Sequence, residues 1–263
     1  GGRTTWRADA LPWQDTWTAH WHQDDPGVFP AGAQNGGGGP TGCAVLEGAP
    51  TALGAWDGAI LNCDAGAGVV YGHLPRIEGA GVALEGAIFL GRTKTSGREA
   101  DDGQGVWFRP SDVCVAPDGS VLVADWYDPG VGGHGMGDRE TYGRLLRVSA
   151  PDQPGSFAWR GWGPKDRWDS PCIAVREGAR GMESALASAW LGAVRTGPAR
   201  KAARALALLT GREQGPEAAR LGLAHADERV RAAAVRAIHA GEGAEALLTV
   251  AEALAADPSP LVR

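Results

Sequence analysis

Residues 125 to 140, DWYDPGVGGHGMGDRE, gather Asp125, Asp128, Asp138 and Glu140 with His134, Arg139 and repeated glycines between two apolar runs. Carboxylates and loop carbonyls are the ligand types that calcium takes. An arginine pairs bidentately with a carboxylated ligand, and a neutral histidine can accept a proton from a reacting carbon or oxygen. The residue types therefore give Asp125 and Asp128 to a metal, Asp138 and Arg139 to a bound cofactor, and His134 to general-base work. A structural reading stands beside this one: the two aspartates cap backbone amides, and Asp138 pairs with Arg139 or Arg144 at the surface.

Gly133-His134-Gly135-Met136-Gly137 has the glycine spacing of a phosphate loop, but such a loop needs a strand before it and a helix after it. The following segment, GRLLRV at 143 to 148, reads as a strand and not a helix, so the nucleotide reading fails. His20 and His22 form an H-x-H with acids nearby, a spacing that puts both rings on one face of a strand; a solvated loop is the simpler expectation. Trp56, Trp107, Trp126 and the group Trp159, Trp162 and Trp168 offer stacking surfaces for sugar, although packing between sheets is the commoner use of such rings. His225 and His239 sit among alanines without acidic partners at metal spacing, and are expected at the surface or between helices. The cysteines, Cys43, Cys63, Cys114 and Cys172, form neither CxxC nor CxxCH, so neither a thiol metal site nor a covalent haem site can be drawn from them.

These side chains need elements to hold them, and the chain carries an internal repeat. Pro40-Thr41-Gly42-Cys43-Ala44-Val45 answers Pro110-Ser111-Asp112-Val113-Cys114-Val115, and Asp57 to Asp64 answers Asp118 to Asp125. In the second copy the pattern predicts a strand at SDVCVAP, a hairpin turn at Asp118-Gly119, a returning strand at SVLVADW and a third at GRLLRV. DWYDPGVGGHGMGDRE is then the connection between second and third strands, and Asp64 stands where Asp125 stands, which favours a bracing role for this position. One such sheet cannot bury both faces, and radial stacking in a β-propeller is the expected solution.

From Glu183 onward the code changes. Ten of the 11 tryptophans lie before residue 170, and the back half is alanine, leucine and arginine at helical spacing. Asp227 is expected as the N-cap of a helix over DERVRAAAVRAIHA, paired with PEAARLGLAHA. A second start, Asp257-Pro258-Ser259-Pro260-Leu261-Val262-Arg263, sets its Val-Arg pair 32 residues after Val230-Arg231. Stacked helix pairs of this kind make a HEAT-type α-solenoid. The expected organisation is propeller blades over 1–150, a junction segment over 151–182 whose prolines and aromatics pack between the domains, and helical repeats over 183–263, the whole a piece of a longer protein.

Bulk properties exclude some partners. With a net charge of -6, the chain lacks the basic footprint of a nucleic-acid binder. No apolar run approaches the roughly 20 residues that a spanning helix needs, and GGRTTWRADALPW has no basic-then-apolar leader pattern.

The run WFRPSDVCVAPDGSVLVADWYDPGVGGHGMGDRETYGRLLRV, residues 107 to 148, resembles the last propeller blade of the PVC-type membrane-bound dehydrogenase family, and HQDDPGVFP and GPTGCAVLEG resemble its upstream elements. The resemblance implies an exported, periplasmic protein similar to sorbosone and soluble quinoprotein glucose dehydrogenases. Its propeller would carry pyrroloquinoline quinone and calcium, oxidise a sugar or alcohol, and pass electrons to a cytochrome. In that family HEAT repeats follow the propeller, and many members continue into a c-type haem domain with CxxCH. This chain departs from the pattern in having no CxxCH and about two blades, so haem is expected only outside it. The alternative is a non-catalytic propeller and HEAT scaffold that binds protein or polysaccharide.

Overall fold

The computed structural model describes residues 3–5, 31–35, 39–48, 51–91, 108–127, 143–151 and 183–263. Among these residues the fold is β followed by α. A two-stranded antiparallel pair joins β1 (Arg3–Thr5) to β2 (Ala31–Gln34). A four-stranded sheet runs in the order β3 (Pro40–Val45), β4 (Ile60–Asp64), β5 (Val69–Glu78) and β6 (Gly81–Gly91). A three-stranded sheet follows, with β7 (Pro110–Val115), β8 (Val121–Asp125) and β9 (Arg144–Val148) in order.

The repeat in the sequence is a repeat in register. Pro40 faces Asp64 and Pro110 faces Asp125, and each first strand carries an irregularity just after its proline. Beyond the aspartate, Ala65 N donates to Gly39 O at 2.8 Å and Trp126 N to Arg109 O at 2.9 Å, the same closing bond in both copies. The hairpins differ in length. The second turns on Asp118-Gly119, with Gly119 at φ 82°, where a side chain would be strained. The first spends a 3-10 helix, Thr51–Trp56, between its strands.

The two sheets share one core. Leu61, Cys63 and Val70 of the first meet Val113, Val121 and Val123 of the second, all nearly or fully inaccessible to solvent. Strands rich in Val and Leu on one face are what the alternating pattern predicts. The sheets come closest at their first strands. Thr41 Oγ1 donates to Pro110 O at 2.8 Å, and a Cβ added to Gly42 would lie 2.0 Å from Asp112 Oδ1 and 2.6 Å from its Cα. Only a residue without a side chain fits there. Trp56 lies against Gly72 and meets Phe89 edge to face at 5.5 Å, so this tryptophan packs into the sheet.

The helical part comprises α1 (Glu183–Thr196), α2 (Ala199–Leu209), α3 (Gly215–Leu223), α4 (Glu228–Glu242), α5 (Ala244–Leu248) and α6 (Ala251–Ala255). Its core is built at helical spacing. Leu186, Trp190 and Val194 of α1 and Val230, Ala234 and Ile238 of α4 each repeat at four residues and are buried with Leu206 and Leu209. Asp227 is the N-cap of α4, its carboxylate accepting from Arg229 N at 2.9 Å. Arg229 donates two further bonds to that carboxylate, and they hold it down at a pKa of about 2.

His225 ties the turns of this helical part together. Its Nδ1 accepts from Asp227 N at 3.0 Å, so Nε2 carries the proton that points at Gly197 O, 3.2 Å away. The ring joins the α1–α2 turn to the α3–α4 turn, the inter-helix place expected of it. Arg231 continues the line. It donates to the carbonyls of His225 and Ala226 at 3.0 and 2.9 Å and grips Asp257 through two bonds of 2.7 and 2.9 Å. Arg263 reproduces half of this, donating to the carbonyls of Asp257 and Pro258, six and five residues back as for Arg231.

Contacts divide the chain into one unit of Gly1–Arg76, Ala83–Arg160 and Ser170–Ile173, and another of Ile77–Val82, Gly161–Asp169 and Ala174–Arg263. The junction segment expected over 151–182 lies outside the described residues apart from Pro151. No helix among the described residues is long and apolar enough to cross a membrane.

Candidate functional site

The strands β4 and β8 both end in a buried aspartate, Asp64 and Asp125, and the segment with the reactive side chains leaves the second sheet directly after Asp125. The chain rejoins the sheet at Arg144. The antiparallel register sets Asp125 opposite Arg144, so departure and return lie side by side.

Four donors fill the Asp125 carboxylate. Oδ1 accepts from Arg109 N at 2.8 Å and Tyr127 N at 2.9 Å, and Oδ2 accepts from Arg144 Nε at 2.9 Å and Nη2 at 2.5 Å. The carboxylate has no solvent exposure, whereas the Arg144 side chain keeps 33%. Two backbone amides and a guanidinium compensate for a charge taken wholly out of water.

Arg144 is held from its other side as well. Its guanidinium carbon lies 3.9 Å from the centre of the Tyr127 ring. Tyr127 has φ 53°, a left-handed backbone that a bulky side chain rarely adopts, and its amide can reach Asp125 in that conformation. A third contact crosses to the neighbouring sheet: Arg109, buried, donates from Nη1 to Ala65 O at 3.3 Å.

Asp64 plays a smaller version of the same part. Its Oδ1 accepts from Ala67 N at 2.9 Å and its carbonyl from Gly68 N at 2.9 Å, closing the β4–β5 turn. Both aspartates thus brace the end of a second strand, as their parallel positions in the repeat suggest. The calcium role expected of Asp125 does not fit this arrangement, because a metal ligand needs open lone pairs and all of these are occupied. No cluster of three or more His, Cys, Asp or Glu side chains able to hold a metal occurs among the described residues.

Asp128, His134, Asp138 and Arg139 lie outside the described residues, as do His20 and His22, Trp107, Trp159, Trp162 and Trp168, and Cys172. Trp126 is described and is 51% exposed, next to the clamp. Arg144, considered as a partner for Asp138, pairs with Asp125.

The turn end of the second sheet has its own charged set. Asp118 accepts from Ser120 N at 2.9 Å, Ser120 Oγ at 2.6 Å and Arg147 Nη2 at 2.5 Å. Burial by itself raises the Asp118 carboxyl, but Ser120 and Arg147 outweigh it and hold the pKa below the ordinary value.

Arg109 and Tyr127 were not singled out by sequence reasoning. The first copy has Gly39 where the second has Arg109, so the repeat gave no warning of a side chain crossing between sheets. His73 was missed too. It is 1% exposed on β5, its ring nitrogens have no hydrogen-bond partner among the described residues, and burial lowers its pKa. No protein-family model, curated protein or solved structure matches the chain.

Proposed function

We propose that this chain is the propeller and HEAT-type part of an exported quinoprotein-like dehydrogenase of the PVC-type membrane-bound family. In this reading the whole protein oxidises a sugar or alcohol and passes electrons to a cytochrome. The observation that carries the reading is the clamp of Asp125, Tyr127 and Arg144. It fastens both ends of the segment that bears His134, Asp138 and Arg139, at the end of a sheet that repeats its neighbour's register.

Stacked sheets of matching register support blades of a propeller, and Val-Arg pairs 32 residues apart, the first of them tied to the second stretch through Arg231 and Asp257, support a HEAT-type repeat. Loops at one end of such blades converge on a shared mouth, where binding groups concentrate. The roles of the described residues are then mechanical: Asp125 is a strut, Arg144 the pin, and Arg109 the tie to the adjacent sheet. Asp125, with its lone pairs taken, does not fit as a calcium ligand. His134 as base, and Asp138 and Arg139 as cofactor contacts, remain the residues to substitute.

The test is a titration of the full-length protein with pyrroloquinoline quinone and calcium, followed by dye reduction with aldose and alcohol substrates. A quinone absorbance change that His134→Ala and Arg139→Ala weaken supports the reading; no change in absorbance and no dye reduction overturns it.

A second reading, a non-catalytic scaffold that binds protein or polysaccharide, is favoured by the fully occupied Asp125 carboxylate. Glycan or protein binding that survives His134→Ala and Asp138→Ala, without quinone binding, would select it.

A further inference from the structure

The joint that His225 makes between two turns of the helical part works only while its ring is neutral. Asp227 N lies 3.0 Å from Nδ1, and a backbone N–H can only donate, so Nδ1 must keep its lone pair. Nε2 then carries the ring's proton and donates to Gly197 O at 3.2 Å. The residue is half-buried, which leaves the imidazole within reach of a proton from solvent. Histidine is the side chain that ordinarily changes charge in mild acid.

A second proton has to go on Nδ1. Two N–H groups would then face each other at hydrogen-bond distance, and one of them must move. Asp227 is fixed: its carboxylate accepts from Arg229 N and from the Arg229 side chain, and its carbonyl accepts from Val230 N at 3.1 Å and Arg231 N at 3.2 Å. The backbone of His225 is fixed too, its amide donating to Gly222 O at 3.1 Å and its carbonyl accepting from Arg231 Nη1 at 3.0 Å. The imidazole is what can turn, and turning it away from Asp227 N withdraws Nε2 from Gly197 O.

The charges around the ring do not remove this conflict. Asp227 attracts an imidazolium, but Arg229 donates to both of its carboxylate oxygens. On α4, Arg229 and Arg231 set positive charge near the ring, Arg231 being bound also to Asp257, and Glu228 accepts from Ser259 Oγ. On α3 the nearest charged residue in the chain is Arg220, and on either side of Gly197 they are Arg195, Arg200 and Lys201, all basic.

We propose that His225 is an acid-released latch: neutral, it holds the α1–α2 turn to the α3–α4 turn, and protonated, it lets the two turns part. The buried core of Trp190, Val194, Leu206 and Val230 lies away from this polar joint, so the release is local to the turns and does not unfold the helices.

Amide hydrogen exchange of the intact chain, followed by NMR, reads the latch directly when each rate is divided by that of an unstructured peptide at the same pH. Between about pH 7.5 and about pH 5.5 the protection of the Asp227 amide should fall about tenfold or more. Protection of the Gly197 amide, which donates to Ala193 O in the other turn, should fall with it. His225→Asn puts a carbonyl oxygen in the place of Nδ1 and does not titrate, so its Asp227 amide should be equally protected at both pH values. The fall should persist in His73→Leu, which separates it from any acid sensitivity of the β sheet. Unchanged protection in the wild-type chain, a fall confined to Asp227, a fall of the same size in His225→Asn, or a fall that vanishes in His73→Leu overturns the proposal.

Discussion

Asp125 and Arg144 face each other across the first register pair of β8 and β9, with Arg144 Nη2 2.5 Å from a carboxylate oxygen that water does not reach. The pair is unequal, since the arginine side chain is one-third exposed and the aspartate is not exposed at all. Removing Asp125 leaves two buried amides without an acceptor, whereas Arg144 can turn to solvent. Asp125→Ala should cost about 3 kcal/mol in urea unfolding of the intact chain. Arg144→Met, which strands the buried carboxylate, should cost at least as much; a loss under about 1 kcal/mol for both would show that the clamp carries no strain-bearing load.

Gly42 meets Asp112 where the sheets are closest. Gly42→Ala places a methyl 2.0 Å from Asp112 Oδ1 and 2.6 Å from its Cα, so a side-chain rotation cannot relieve it. Overpacking of this kind costs about 1–3 kcal/mol. Asp112→Gly added to Gly42→Ala should recover only part of the loss, because the backbone contact remains.

His73 makes the β sheet sensitive to acid. Burial lowers its pKa from 6.5, so the unfolded chain binds this proton more readily than the folded one. The associated stability is full above 6.5 and is lost as the pH falls from there through the lowered folded value. A series of thermal melts in mildly acidic buffers should show a falling Tm, and His73→Leu should flatten that part of the curve. Identical slopes in both proteins would remove His73 as the cause.

Cys63 should be chemically silent in the folded protein. Burial first, and then the charges of Asp112 and Cys43, push its thiol up to about 12, whereas Cys43 and Cys114 are exposed. Alkylation at mildly alkaline pH followed by peptide mass spectrometry should label Cys43 and Cys114 well before Cys63. Equal labelling would mean that the β core opens under native conditions.

Arg231→Ala should lower the Tm of the helical part, since one side chain serves Asp257 and two carbonyls. Its hydrogen bonds hold the Asp257 carboxyl below 3.8, so the difference from wild type should persist at neutral pH and shrink as the pH falls through that lowered value. A gap that does not change under acid would assign the loss to the carbonyl bonds alone.

Local chemistry made a good part of this legible. Alternation in SDVCVAP and SVLVADW, joined at Asp118-Gly119, predicted β7, the turn and β8, because a period of two with a left-handed glycine between is satisfied within the hairpin itself. Asp227 announced the start of α4 for the same reason: a cap acts on amides two residues away. Closure of a propeller, stacking of a HEAT solenoid and assembly of an enzymatic site depend on more than neighbouring residues.

The three strands of the second copy, the repeat that matches Asp64 with Asp125, and the helical periodicity after Glu183 were thus determined by the sequence alone. Only the tertiary structure decided what Asp125 does. Its type and place in a glycine-rich run suited a metal, but lone pairs are claimed by whichever donors the fold brings near, and Arg109, Tyr127 and Arg144 come from separate stretches of chain. Which faces of the two sheets share the core was decided at the same level: alternation tells which residues share a face, and only packing tells which face meets which.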